Sequence, residues 1–66
     1  MKIQVNNKET ELPADATVGL LAARLDLPGK GTAIAVNNRL VPRTGWDTHV
    51  LNENDSVVII KAACGG

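Results

Sequence analysis

The stretch that decides the fold is Asn52-Glu53-Asn54-Asp55-Ser56-Val57-Val58-Ile59-Ile60, where a turn-forming cluster leads into four consecutive β-branched residues. Asn and Asp favour turns because their side chains hydrogen-bond the nearby backbone. A β-branched run that is apolar on both faces is typical of a strand inside a sheet. We therefore expect a turn at residues 52–55 and a central strand at residues 57–60.

Two β-hairpins are predicted earlier in the chain. Residues 2–12 alternate in the manner of a strand pair and turn at Asn6-Asn7. Residues 33–41 repeat the pattern with a turn at Asn37-Asn38, and Pro42 then ends the pairing because it has no N–H. Both Asn pairs suit two-residue hairpin turns, since Asn tolerates positive φ angles.

One helix is predicted between the hairpins, with Thr17 as its N-cap. Its apolar face has the spacing i, i+3, i+4, i+7 and comprises Val18, Leu21, Ala22 and Leu25. Gly19 lowers its intrinsic stability by about 1 kcal/mol relative to alanine, so packing has to hold it. We expect the cluster at residues 27–31, Leu-Pro-Gly-Lys-Gly, to end it. Residues 43–51 have no clean period, and we expect a helical turn at residues 44–47 and an extended piece near Val50-Leu51.

These elements assemble into an α+β domain. A right-handed crossover lets the final strand lie parallel to the first, between the two hairpins, with the helix across one face. The predicted architecture is a β-grasp, or ubiquitin-like, mixed sheet of four to five strands with one main helix. We assign residues 1–62 to a single domain and residues 63–66 to a flexible C-terminal tail.

The central strand also predicts a docking surface. Of its four β-branched residues, two must point away from the helix, and we assign these as Val58 and Ile60. Exposed apolar side chains beside the tail would form a patch that a partner can cover, unless loops of the same chain cover it.

Composition excludes several classes of function. Seven basic and seven acidic residues are scattered along the chain without a basic stripe, and Trp46 is the single aromatic residue, which argues against nucleic-acid binding. No apolar run is long enough to cross a membrane, and no secretory signal opens the chain, so we expect a cytoplasmic protein. One cysteine and one histidine predict no metal site and no internal disulfide.

The chain ends in Gly65-Gly66, and this pair points to chemistry at the terminal carboxylate. Without Cβ atoms, an extended tail can pass through a narrow slot in a partner enzyme, although a frayed end explains the dipeptide equally well. Cys64 stands two residues before the carboxylate. Its thiol could react with an activated Gly66 or form a mixed disulfide, but an inert small side chain is the favoured interpretation, since no neighbouring cation favours the thiolate.

The sequence resembles a known family. Val41-Pro42-Arg43, followed by Trp46 and His49, together with the β-branched strand and Gly65-Gly66, resembles the bacterial sulfur carriers of thiazole and thiamin biosynthesis, the ThiS family. The likeness spans essentially the whole chain. Asn54 stands where many relatives have glycine, and Asn is the side chain that best tolerates the left-handed conformation there.

The resemblance implies a carrier that is a substrate of other enzymes and not a catalyst. Gly66 would be adenylated by an E1-like, ThiF-like adenylyltransferase that uses ATP, and this chain would hold no cofactor of its own. A persulfide sulfur donor would convert the adenylate to a thiocarboxylate, which would supply a ThiG-like thiazole synthase. Gly65 and Cys64 would enter the partner sites with the tail.

The remaining conspicuous residues favour structural roles. Trp46 is expected to plug the rim of the core and His49 to be structural or exposed, while Arg43 is either a partner contact or a solvated side chain. Two other functions stay open: a sulfur carrier for molybdopterin or another acceptor, and a ubiquitin-like modifier or binding module.

Overall fold

The computed structural model of this 66-residue chain describes residues 1–27 and 31–61. Its elements are strands β1 (Lys2–Val5) and β2 (Lys8–Glu11), helix α1 (Val18–Arg24), strands β3 (Thr32–Val36) and β4 (Arg39–Val41), a 3₁₀ turn (Arg43–Gly45) and strand β5 (Ser56–Lys61). The sheet order is β2-β1-β5-β3-β4, with β5 parallel to β1 and antiparallel to β3. The predicted β-grasp fold and its central final strand are confirmed. Residues 28–30 of the predicted helix-ending cluster lie outside the described residues.

Both hairpins turn where the sequence predicts. The φ angles are 49° at Asn6 and 68° at Asn7, and 51° at Asn37 and 69° at Asn38. Two successive positive φ angles match the right-handed twist of the strands they join, which is why short hairpin loops favour them. Asn54 also has a positive φ, of 68°, the left-handed conformation that asparagine is expected to tolerate at this position.

The first asparagine of each turn, Asn6 or Asn37, forms hydrogen bonds with β5, and the two bind opposite edges of the strand. The Asn6 N–H donates to the Val57 carbonyl at 2.9 Å, and Asn6 Oδ1 accepts from the Ile59 N–H at 2.9 Å. On the opposite side, the Asn37 N–H donates to the Ser56 carbonyl at 2.7 Å, and Asn37 Oδ1 accepts from the Ser56 N–H at 3.0 Å. Each turn thus adds hydrogen bonds to β5 beyond the end of the strand that leads into the turn.

The core lies between α1 and one face of the sheet. Its most completely buried side chains come from four strands or segments and the helix, namely Ile3, Val18, Leu21, Ile34, Leu51 and Val57. Burying one such side chain contributes about 1.5 to 3 kcal/mol relative to leaving it exposed. Because β5 alternates, Val57 is 1% exposed while Val58 and Ile60 are 39% and 55% exposed.

Helix α1 begins as predicted and ends earlier. Thr17 Oγ1 accepts from the Leu20 N–H at 3.1 Å, which confirms the N-cap. The prediction that Leu25 extends the buried face is wrong, because Leu25 lies beyond the helix and is 43% exposed. Asp26 has a φ of 54°, and the Leu27 N–H donates to the Ala22 carbonyl at 3.0 Å. With the second bond, from the Asp26 N–H to the Ala23 carbonyl at 3.2 Å, this is a Schellman motif, and an aspartate takes the left-handed position that is usually glycine.

The segment after β4 closes the N-terminus of α1. Its 3₁₀ turn is shifted slightly toward the N-terminus from the predicted residues 44–47, and Val50 forms a single bridge with Thr17. The His49 and Trp46 carbonyls accept from the Val18 and Gly19 N–H groups at 3.0 and 2.8 Å. Two helix-end donors that lack intrahelical partners are thereby satisfied.

Gly19 is explained by the same contact. A Cβ at this position would overlap Oδ1 of Asp47 and lie 3.4 Å from the Asp47 Cα. The glycine therefore leaves room for the carboxylate of the exposed Asp47, which would have to rotate away from an alanine at this position.

Replacing each asparagine of the second turn by glycine should separate side-chain from backbone roles. Asn38→Gly keeps the positive φ and removes a side chain with no hydrogen bond among the described residues, so stability should change by less than about 0.5 kcal/mol. Asn37→Gly removes the bonds to Ser56 and Asp55 and should cost about 1 to 3 kcal/mol. Urea unfolding followed by Trp46 fluorescence measures both, and equal costs would contradict the role assigned to Asn37.

Candidate functional site

An exposed apolar patch covers half of the sheet face opposite α1. The register places Ala35 between Leu40 of β4 and Val58 of β5, and it places Ala33 beside Ile60. We define the apolar patch as Ala33, Ala35, Leu40, Val58 and Ile60. Leu40 is 67% exposed, so the large side chains of the patch are open to solvent. The predicted exposure of Val58 and Ile60 is confirmed, whereas their role in docking stays a prediction.

Leu40 is not among the docking residues predicted from the sequence. Its signal was available, because a two-residue turn at Asn37-Asn38 fixes the hairpin register and so sets Leu40 opposite Ala35. Strand alternation then puts both side chains on the face that carries Val58.

The other half of this face is charged. Strands β1 and β2 present Lys2, Gln4, Glu9 and Glu11, and all four are exposed. Lys2 Nζ lies 3.9 Å from Glu9 Oε1. The apolar patch therefore has a polar border along β1, which limits where an apolar partner surface can sit.

A buried carboxylate positions the start of β5. Asp55 is 8% exposed, and its two oxygens accept from Asn37 Nδ2 at 3.0 Å and from the Asn52 N–H at 2.8 Å. The cluster at residues 52–55 is thus tied both to itself and to the turn of the second hairpin. The turn was predicted from the sequence. The bond between Asp55 and Asn37, which lie 18 positions apart, was not.

The conspicuous residues of the preceding segment have different environments. Trp46 is 7% exposed and its Nε1–H donates to the Val41 carbonyl at 3.0 Å, which confirms its role as a plug at the rim of the core. His49 is partly buried, and its backbone bonds Gly45 and Val18. Arg43 is exposed in the 3₁₀ turn, and its position there is outside the sheet register that forms the apolar patch.

The predicted reactive tail, residues 63–66, follows β5 in the chain. Lys61 is the last residue of β5, and Ile60 of the apolar patch directly precedes it. Gly66, Gly65 and Cys64, together with the predicted boundary between the domain and residues 63–66, lie outside the described residues. Among residues 1–27 and 31–61, no group of three or more His, Cys, Asp or Glu side chains could hold a metal ion. No helix in these ranges is long and apolar enough to span a membrane.

Solved structures share this architecture over the full chain. The crystal structure of a thiamine biosynthesis protein (ThiS) from Geobacter metallireducens superposes with a TM-score of 0.81 at 22% identity, covering 100% of both chains. A ubiquitin-like protein from the archaeon Caldiarchaeum subterraneum superposes with a TM-score of 0.62 at 25% identity, covering 98% of this chain and 100% of that one. At these identities the likeness concerns the fold.

Sequence comparison gives the family. The sulfur carrier protein ThiS of Escherichia coli K12 is 32% identical over 66 residues, which is 100% of both chains. The model of the ThiS family matches residues 2–66. The match includes the apolar patch, the Asp55 turn and the Gly65-Gly66 pair, and the chain belongs to the ThiS family.

Proposed function

We propose that this protein is the sulfur carrier of thiazole formation in thiamin biosynthesis, and that the Gly66 carboxylate is the group that receives the sulfur. The observation that carries the proposal is the family match, which continues through the final two glycines. The full-length similarity to a protein named as a sulfur carrier supports it.

The proposed chemistry begins with activation. A carboxylate is a poor electrophile, so one of its oxygens must first become part of a leaving group. The Gly66 carboxylate attacks the α-phosphorus of ATP, pyrophosphate leaves, and an acyl adenylate forms. A partner's cysteine persulfide then attacks the acyl carbon and expels AMP. A thiol reductant cleaves the resulting sulfur–sulfur bond and leaves Gly66 as a thiocarboxylate.

In this proposal the partners supply the catalytic groups. They are an E1-like, ThiF-like adenylyltransferase, a persulfide sulfur donor, and a ThiG-like thiazole synthase that accepts the sulfur in the cytoplasm. ATP is bound and consumed by the adenylyltransferase, and this chain acts as its protein co-substrate. Cys64 accompanies the glycines into the partner sites as a small side chain without a chemical role.

The apolar patch supports the proposal because of its distance from the tail along the chain. Ile60 is separated from Gly66 by five residues. The six residue-to-residue steps from Ile60 to Gly66 span at most about 22 Å when fully extended. A partner that covers Val58 and Ile60 therefore has the Gly66 carboxylate within reach of a nearby active site.

The identity of the terminal group tests the function directly. Protein isolated from cells grown with sulfate should contain a fraction heavier by the difference between one sulfur and one oxygen atom, and fragmentation should place that difference at Gly66. Isopeptide adducts at Gly66 would instead identify a ubiquitin-like modifier. Sulfur-loaded protein that supplies molybdopterin synthesis but not thiazole synthesis would identify the other carrier function.

Replacing Gly65 by valine should abolish adenylation. A β-branched side chain cannot pass where a partner closes on the backbone, and it also restricts the tail conformation. ATP–pyrophosphate exchange with the cognate adenylyltransferase measures the loss, and the thermal midpoint of the domain should stay the same. An unchanged exchange rate would contradict the threading of the tail.

A charge in the apolar patch should weaken docking. Ile60→Lys places an ammonium where a partner covers apolar surface, and the KM for this protein in the exchange reaction should rise about tenfold or more. Gln4→Lys is the matched control, since residue 4 is exposed on the same sheet face within the charged half. Equal KM values for the two variants would show that the patch is not the docking surface.

A further inference from the structure

A cleft on the opposite side of the sheet has no role in the function described so far. It has a volume of about 390 Å³ and is lined by Val5, Asn6, Lys8, Leu25, Leu27, Ile59 and Lys61. Ile59 and Lys61 alternate with Val58 and Ile60 along β5, so the cleft and the apolar patch lie on opposite faces of the same strand.

The early end of α1 leaves the cleft open. The helix has seven residues, and the chain turns away at Asp26. Leu25 consequently stays 43% exposed beside Ile59, which is only partly buried. The helix therefore leaves apolar surface uncovered near the C-terminal end of β5.

The backbone of β5 is also open along the cleft. Strand β1 pairs with β5 only at Ser56 and Val57, and the Ile59 N–H is satisfied by the Asn6 side chain. Backbone groups alternate in direction, and those of Ser56 face β3, as the Asn37 bond to its carbonyl shows. The Ile59 carbonyl and the Lys61 N–H therefore face away from β3, and no strand in the described part of the chain pairs with them. Such an edge is a template for an added strand.

The charged side chains that line the cleft are both positive. Lys8 and Lys61 are both exposed at its rim, and no carboxylate is among its lining residues in the described ranges. Neither lysine forms an ion pair within residues 1–27 and 31–61. An occupant that carries a carboxylate would gain two cationic partners without displacing an existing one.

We propose that the cleft receives an extended, acidic segment of the adenylating enzyme, which adds to the open edge of β5 beyond Val57. Its apolar side chain packs between Leu25 and Ile59, and its Asp or Glu pairs with Lys8 and Lys61. A peptide segment fits because the cleft combines a free backbone edge with side-chain contacts, which is the basis of recognition by strand addition. The adenylating enzyme is the occupant because it takes up the predicted tail, residues 63–66, which follows Lys61 after one residue. This inference rests on the proposed function.

Charge reversal of both lysines tests the proposal. For Lys8→Glu/Lys61→Glu, the KM for this protein in ATP–pyrophosphate exchange should rise about tenfold or more, while kcat at saturation stays within about twofold. The difference from the parent should shrink at high salt. Arg39→Glu is the control, since Arg39 is an exposed cation on the other edge strand and does not line the cleft. Trp46 fluorescence verifies that each variant folds.

The possible outcomes separate a failure of this inference from a failure of the proposed function. If the parent supports exchange and the double variant keeps the parent KM, the cleft is not a docking site and the proposed function stands. If Arg39→Glu raises the KM as much as the double variant does, the effect is one of overall charge and the inference is wrong. If only binding to the sulfur acceptor weakens, the occupant is not the adenylating enzyme. If the parent supports no exchange, the proposed function fails and the inference fails with it.

Discussion

The structure depends on how strand β5 is held. Strand β5 does not pair with β4, the strand before it in the chain, and its partners are the more distant strands β1 and β3. Asn6 and Asn37 each contribute a backbone N–H and a side-chain oxygen to β5, from opposite sides. Asp55 then fixes the turn that leads into the strand. The asparagines that adopt the positive φ angles of the turns are thus the same residues that bind β5.

The register of β5 determines which of its side chains a partner can contact. Because side chains alternate, one register sends Val57 into the core and Val58 and Ile60 into the apolar patch. A slip of one residue would exchange the two sets, burying the patch and exposing the core residue. Stability and surface therefore depend on the same hydrogen bonds, and the strand that completes the core is also the one that leads to the tail.

The parts of the fold that the sequence predicts are those decided by local chemistry. Paired asparagines, a β-branched run and a threonine cap each act through near neighbours, and the hairpins, the central strand and the start of α1 follow from them. Leu40 was missed although the predicted turn already fixes the hairpin register that exposes it. The end of α1 at Arg24 was missed because it depends on Asp26 adopting a conformation typical of glycine. The cleft was missed because it needs three distant segments together. The tail residues were singled out from the terminal glycine pair, their partner enzymes were assigned from the resemblance, and the structure does not describe these residues.

Strand addition and patch docking would make different demands on a carrier, and β5 can meet both. The patch offers apolar area, which tolerates partners of different shape, whereas a free strand edge with two lysines demands a particular backbone direction and charge. A carrier has to release each partner after its step, so neither surface can bind too tightly. Dividing the contacts between two faces lets one surface be shared among partners while the other distinguishes them. On the proposals made above, the shared surface is the apolar patch, and the adenylating enzyme is distinguished at the cleft.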